Sequence, residues 1–326
     1  MSRLELVEQL ELAAPLHGAR LVLGPTGLER CDQRGAGLDW RCPRSGDLRR
    51  ALRVPPDLEL DDLTLGQPVA FEGGPVADLL GSPDGRWALV GYESARVALW
   101  PAPEAGEHDA CALQRAVLAA VAGDDQDALD AARAALESRR WMLGQLDGAG
   151  ASALAFAPGC LFAAAGSERS DVLVVDLEAG VTHTLDFSAL PTVDRLALSP
   201  DGQRVAAESD EAPGEVLLLG PGDQDPRPLP ALPQFSLDGN WAALRVDGRT
   251  EVHAAALEGA LREVQGEACF VGAWLVRRGE DALELIDPAT GEVLDRVEVA
   301  ATSLVPLGED LVALVGEAGL RRYRVA

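Results

Sequence analysis

Lysine is missing from this chain: every one of its 28 basic residues is arginine. That absence removes whole reaction classes. A phosphate-binding loop, a kinase phosphate-binding lysine, a Schiff-base lysine and a Ser-x-x-Lys nucleophile pair all need an ammonium group. Isoleucine and asparagine occur once each, as Ile286 and Asn240, a bias that points to a GC-rich bacterial genome. Aromatic residues make up only 4% of the chain. The four histidines (His17, His108, His183, His253) are far apart and share no metal-ligand spacing. Cys31 and Cys42, with His17, are the weak zinc candidate, and a metal is not expected. Five cysteines, odd in number and scattered, suit a reduced cytoplasm better than a disulfide frame. No apolar run reaches the length of a membrane span, and the opening Met1-Ser2-Arg3-Leu4-Glu5 has no apolar signal core. His-Glu-x-x-His, Gly-x-Ser-x-Gly and Gly-x-Gly-x-x-Gly stretches are also absent. These absences together predict a cytoplasmic protein without membrane contact or cofactor, and not an enzyme.

What is present is acid and apolar mass. The formal net charge is −25, and 47% of the 326 residues are hydrophobic. The charge argues against a nucleic-acid ligand and favours basic protein partners. The apolar content is enough for one large core.

A short unit recurs. Ser82-Pro83-Asp84-Gly85-Arg86-Trp87 returns as Ser199-Pro200-Asp201-Gly202, and more loosely as Ser236-Leu237-Asp238-Gly239-Asn240-Trp241. Ala157-Pro158-Gly159-Cys160 is a degenerate copy. Proline at the second position and glycine at the fourth suit a type I turn between two strands. A second turn signal follows each copy 20 or 21 positions later, at Gly106, Gly180, Gly222 and Gly259, and Asp287-Pro288-Ala289-Thr290-Gly291 marks another. Ser199 and Ser236 are 37 residues apart, the length of a four-stranded propeller blade.

With these residues the chain resembles a degenerate WD40-type β-propeller. The likeness covers about residues 75–107 and 151–299. The Trp-Asp ending survives only as Leu99-Trp100, Val175-Asp176 and Ile286-Asp287, and the Gly-His dipeptide is missing. The resemblance implies an all-β, seven-bladed propeller over 1–326 and a role in binding proteins.

Period-2 alternation over Leu4–Leu12 predicts a strand with one wet face. At the other end Thr302–Pro306, Leu311–Val315 and Leu320–Val325 give only three strands. An open ring exposes edges, so the N-terminal strand is expected to become the outer strand of the last blade. Blade one is expected to begin with Leu21–Leu23 and Leu28–Cys31 and to end with Thr64–Phe71, around an irregular arginine-rich insertion at 33–62. Blade two (Val76–Leu80, Trp87–Gly91, Arg96–Trp100) is interrupted at 108–140. There Leu113, Val117 and Val121, then Leu129, Ala132 and Leu136, fall at helical spacing. Asp109 and Asp124 or Asp125 suit N-caps, so the stretch predicts a helical hairpin, with the outer strand resuming at Trp141–Leu146.

Both interruptions precede an outer strand, so they are expected side by side on one face. The leading functional expectation is a scaffold or complex subunit that docks another protein there. Trp40, Arg41, Arg44, Arg49, Arg50, Arg53, Leu113, Val117, Leu129, Leu136, Arg139 and Arg140 are the candidate contacts. The competing reading is that these arginines neutralise carboxylates on their own disc. The alternatives are a hydrolase-like enzyme using Asp78, Asp194 and Arg195 at the channel, and a small-ligand or peptide binder there.

Overall fold

The computed structural model describes every residue except 1, 15, 17–18, 58–62, 67–73, 148–149, 221–222, 224 and 317–318. Seven sheets, antiparallel except for one added edge strand, follow one another along the chain as the blades of a single propeller. Blade one is Arg20–Gly24, Gly27–Gln33, Gly37–Arg41 and Leu48–Arg53; blade two is Val76–Gly81, Trp87–Tyr92, Arg96–Pro101 and Trp141–Gln145. Blade three runs from Ala151 to Asp186, blade four from Arg195 to Leu229, blade five from Pro233 to Gln265, and blade six from Ala268 to Glu298. Blade seven contains Ser303–Leu307, Asp310–Val315 and Gly319–Val325.

The ring closes as the edge argument requires. Leu4–Glu11 pairs antiparallel with Gly319–Val325, from Leu4 opposite Val325 to Glu11 opposite Gly319. The Arg3 and Ala326 backbones exchange hydrogen bonds at 3.0 and 2.9 Å, and the Leu4 amide donates to Asp295 of blade six at 2.7 Å.

The recurring turn explains its own sequence. In blades two, four and five the amide of the fourth residue donates back to the serine carbonyl at 2.8, 2.9 and 3.1 Å. That fourth residue is a glycine with φ of 65°, 65° and 70°, a region side chains resist. The serine hydroxyl accepts the amide of Trp87, Arg204 or Trp241 at 3.0, 2.9 and 3.0 Å, and donates to the turn aspartate. Each buried serine, held by its aspartate, thereby satisfies the amide that the turn leaves over.

Blade one corrects one expectation. Residues 33–62 are not an irregular insertion, because two regular strands, Gly37–Arg41 and Leu48–Arg53, lie inside them. Leu48–Arg53, and not Thr64–Phe71, is the outer strand; residues 67–71 of the latter lie outside the described residues, and 64–66 carry no strand. The strands hold charge in the interior, which hides their pattern. Asp39 is buried and accepts from Arg41 and Arg53, each at 2.6 Å. Arg50 is buried across the Trp40 ring, 4.7 Å from its centroid, with its guanidinium on Glu29 at 2.8 Å.

The helical hairpin is where the spacing places it: α1 spans Ala110–Ala122 and α2 spans Gln126–Glu137. Asp125 caps α2, accepting the Ala128 amide at 3.0 Å, whereas Asp109 turns its carboxylate to Arg115. A short strand before α1, Gly106–Asp109, joins blade one as a fifth strand, parallel to and outside Leu48–Arg53. The hairpin therefore grows from the outer circumference, beside blade one, rather than standing on a face next to a second insertion. Ala110, Val117, Val121, Leu129 and Leu136 share one core cluster with Trp40, Leu52, Tyr92 and Trp100. Burial of that stripe is the hairpin's main stabilisation. A buried carboxylate completes the junction: Asp57 accepts from Ser94 at 2.7 Å and Arg96 at 3.3 Å, with Arg140 at 3.7 Å.

Candidate functional site

Inner strands of a propeller converge on its axis, and here they enclose a channel of two chambers. One end, on the side of the recurring turns, is a cavity of about 430 Å³. Leu23, Pro83, Phe156, Pro158, Phe235, Leu237, Phe270, Pro306 and Leu307 supply its apolar wall. Asp84, Gln234, Glu309, Asp310 and Arg324 are its polar members. The second chamber, about 710 Å³, shares Pro83, Phe156, Pro306 and Leu307 with the first. Those four residues form the waist. Beyond it the inner-strand beginnings bring Arg20, Asp78, Ser152, Asp194 and Arg195 to one wall.

The channel residues named from sequence thus come together, but their charges are already engaged. Asp194 accepts from Thr192 at 2.6 Å and from the Asp210 amide at 2.8 Å. Arg195 pairs with Glu208 at 3.0 Å and Asp210 at 3.1 Å. Asp78 accepts the Leu79 amide at 2.8 Å; burial raises its pKa, against the pull of that bond and of Arg20. The contacts of these side chains supply no nucleophile–base pair.

The twelve candidate docking residues separate by burial. Trp40, Arg50, Val117, Leu129 and Leu136 are buried, and only 4% of the Arg140 side chain is exposed, so these six cannot meet a partner. Trp40 is a core residue under Arg50, not an interface anchor. Arg41 and Arg53 are half-buried and tied to Asp39; Leu113 is half-buried against the core. Arg44, Arg49 and Arg139 are exposed. Neutralisation of carboxylates on the same disc therefore describes most of the arginines, including Arg30 with Asp32 and Arg34 with Asp39.

Sequence reasoning named Cys42 only as part of a weak zinc candidate and missed its place in a turn. In blades three and six the turn before the outer strand opens with Asp176 or Asp287, whose carboxylate accepts the amides two and three residues on. The glycine amide four residues on donates to that aspartate's carbonyl, at 2.9 and 2.7 Å. In blade one Gly46 makes the same bond to Cys42 at 2.8 Å, so a thiol occupies the aspartate's place. Hydrogen bonds from Arg49, from the Ser45 hydroxyl and amide, and from the Arg44 amide outweigh desolvation and lower its pKa to about 6. The signal was legible: Cys42-Pro43-Arg44-Ser45-Gly46 has the spacing of Asp287-Pro288-Ala289-Thr290-Gly291. Cys31, Cys160 and Cys269 behave oppositely, with burial pushing each thiol up to about 12.

His253 is buried with its Nε2 3.4 Å from a Glu251 carboxylate oxygen, and His183 is exposed on an outer strand. His17 lies outside the described residues. Among the described residues no group of three His, Cys, Asp or Glu side chains is arranged to hold a metal ion. Trp87 and Trp241 occupy equivalent strand positions and pack into separate core clusters between neighbouring blades.

The chain matches no protein-family model and no curated protein.

Proposed function

We propose that this chain is a non-catalytic scaffold, a WD-repeat-like propeller that holds another protein subunit at the blade-one edge beside the hairpin. The observation that carries this reading is the fixation of the hairpin. A parallel strand pairing, an apolar stripe and the buried Asp57 carboxylate all fasten it to the wheel. Elements held in one position lose little entropy when a partner docks. The edge also keeps solvent-facing contacts: Arg44, Leu48 and Arg49 on one side, and Arg139 on the other. Arg139 lies near enough to His108 to help burial lower that imidazole's pKa, which sets it beside the fifth strand of blade one. Five unpaired cysteines suit a cytoplasmic location, and no helix among the described residues is long and apolar enough to cross a membrane.

Charge reversal at two exposed positions that hold no structural pair among the described residues, Arg44→Glu and Arg139→Glu together, tests the proposal. The variant is expected to keep its melting temperature and to lose the subunits that co-purify with the wild-type chain from its source cells. Retention of every subunit would overturn the reading.

A further inference from the structure

The second chamber of the channel, about 710 Å³, has the size of a pocket for a small organic ligand. Four charged side chains line it, Arg20, Asp78, Asp194 and Arg195, and they balance to zero. Two of the four are spent on the wheel itself. Arg195 pairs with Glu208 and Asp210, and Asp194 holds Thr192 and the Asp210 amide. That wall is fixed further by Ser152 of blade three, whose hydroxyl donates to the Val193 carbonyl at 2.6 Å.

Arg20 and Asp78 differ. Arg20 opens the inner strand of blade one, and Asp78 lies near the start of the inner strand of blade two. The Asp78 carboxylate takes only the amide of Leu79, its neighbour in the chain, and among the described residues neither side chain forms an ion pair. Arg20 is near enough to pull the Asp78 pKa down, but burial outweighs it and the net shift is upward. A carboxylate so placed is short of solvation, and an incoming cation would supply what the wall does not. One cation and one anion therefore stand side by side without satisfying each other.

Most of the remaining wall is apolar. Leu154, Leu196, Leu232, Val305 and Leu314 are half-buried there, and they come from blades three, four and seven and the entry to blade five. Water in a channel gains nothing from aliphatic surface, whereas a hydrocarbon body lying on it is stabilised. The balance of charge gives no hold on a ligand of one sign. It matches a ligand that carries both.

We propose that the second chamber binds a small zwitterion with an apolar body, its carboxylate on Arg20, its ammonium on Asp78 and its hydrocarbon against Leu154, Leu196 and Val305. A free apolar amino acid and a di- or tripeptide with both termini open share this chemistry. They differ in the span between the two charges.

Isothermal titration of the full chain with leucine, Leu-Leu and Leu-Leu-Leu separates these sources, and at least one of the three should bind saturably. For the tightest of them, acetylating the amine or amidating the carboxylate should each weaken binding by about tenfold or more, the value of one charge-assisted contact. The glycine compound of the same length should be weaker by at least as much. Asp78→Asn should bind the parent and its acetylated form alike, and Arg20→Gln the parent and its amidated form alike. A general loss of structure would not produce that reciprocal pattern. The asparagine oxygen keeps the Leu79 amide satisfied and Arg20 holds no bond, so both variants should melt with the wild type; if Asp78→Asn does not fold, Arg20→Gln decides alone. None of these changes touches the docking edge, so failure here leaves that reading standing. Absence of saturable binding by all three compounds, blocked forms that bind as tightly as the parent, or variants that keep both discriminations would each overturn the proposal.

Discussion

Two turns recur in the wheel, and each has a departure: blade three departs from the Ser-x-Asp-Gly turn of blades two, four and five, and blade one from the turn that Asp176 and Asp287 open in blades three and six. In a regular turn the polar side chains are consumed internally: serine takes an amide, aspartate takes the serine, and glycine accepts the left-handed conformation. Nothing is left over for a ligand. In blade three, Gly159 and Cys160 stand where the aspartate and glycine would be, and both take positive φ, 83° and 58°. In blade one Cys42 stands in the aspartate's place, and the Arg49 side chain, with Ser45 and the Arg44 amide, lowers its pKa to about 6. A repeat protein displays its own reference state, and departures from it are where side chains serve something other than the fold.

The contrast can be broken most violently at Gly85. A Cβ there would meet the Arg50 guanidinium at 2.6 Å and the Leu23 carbonyl at 2.7 Å, with φ at 65°. Gly85→Ala is expected to cost about 3 kcal/mol in a denaturant titration, combining overpacking with left-handed strain. The same substitution at Gly159 meets only Leu237 Cδ1, at 3.1 Å, but carries left-handed strain at φ of 83°, and should cost less, about 1.5 kcal/mol.

A gentler version removes the serine. Ser199→Ala leaves the Arg204 amide without its acceptor and should cost about 1.5 kcal/mol. Ala157→Ser alone in blade three should stabilise by no more than about 0.5 kcal/mol, because Gly159 offers no carboxylate to orient the hydroxyl. Equal and opposite effects would mean that the two turns are equivalent after all.

The thiol comparison is chemical and moves stability least. Cys42 should be alkylated by iodoacetamide with a rate that rises through about pH 6, while buried Cys31, Cys160 and Cys269 stay unmodified in the folded chain. Its folded pKa lies below the ordinary value of 9.0, so its contribution to stability is complete above about pH 9 and is lost as pH falls toward 6. Cys42→Ser should remove that slope, and peptide mapping after alkylation reads the rest. A rate midpoint near 9 would show that the turn does not stabilise the thiolate.

Much of the architecture was legible because turns and periodicity are local. The Ser-Pro-Asp-Gly copies, the helical spacing from Leu113 to Leu136 and the unmatched strand at Leu4–Leu12 each declare themselves within a dozen residues. Blade one was opaque for a physical reason. Its third and fourth strands bury Asp39 and Arg50; Arg50 is matched by Glu29, 21 positions away, and Asp39 by Arg53, 14 positions away, as well as by Arg41. Pattern reading scores such stretches as solvated loop, and so the arginines looked like a docking strip and Trp40 like an anchor. The channel mouth was unreadable for another reason: its walls come from six blades, and only folding assembles them.

Hydrogen exchange on the full chain tests the fixation of the hairpin most directly. The amides of Gly106–Asp109 and of the buried stripe of α1 should exchange as slowly as those of Leu48–Arg53, which they pair with or pack against. Exchange of the hairpin amides at the rate of an unprotected loop, with the blade-one strands still protected, would contradict it.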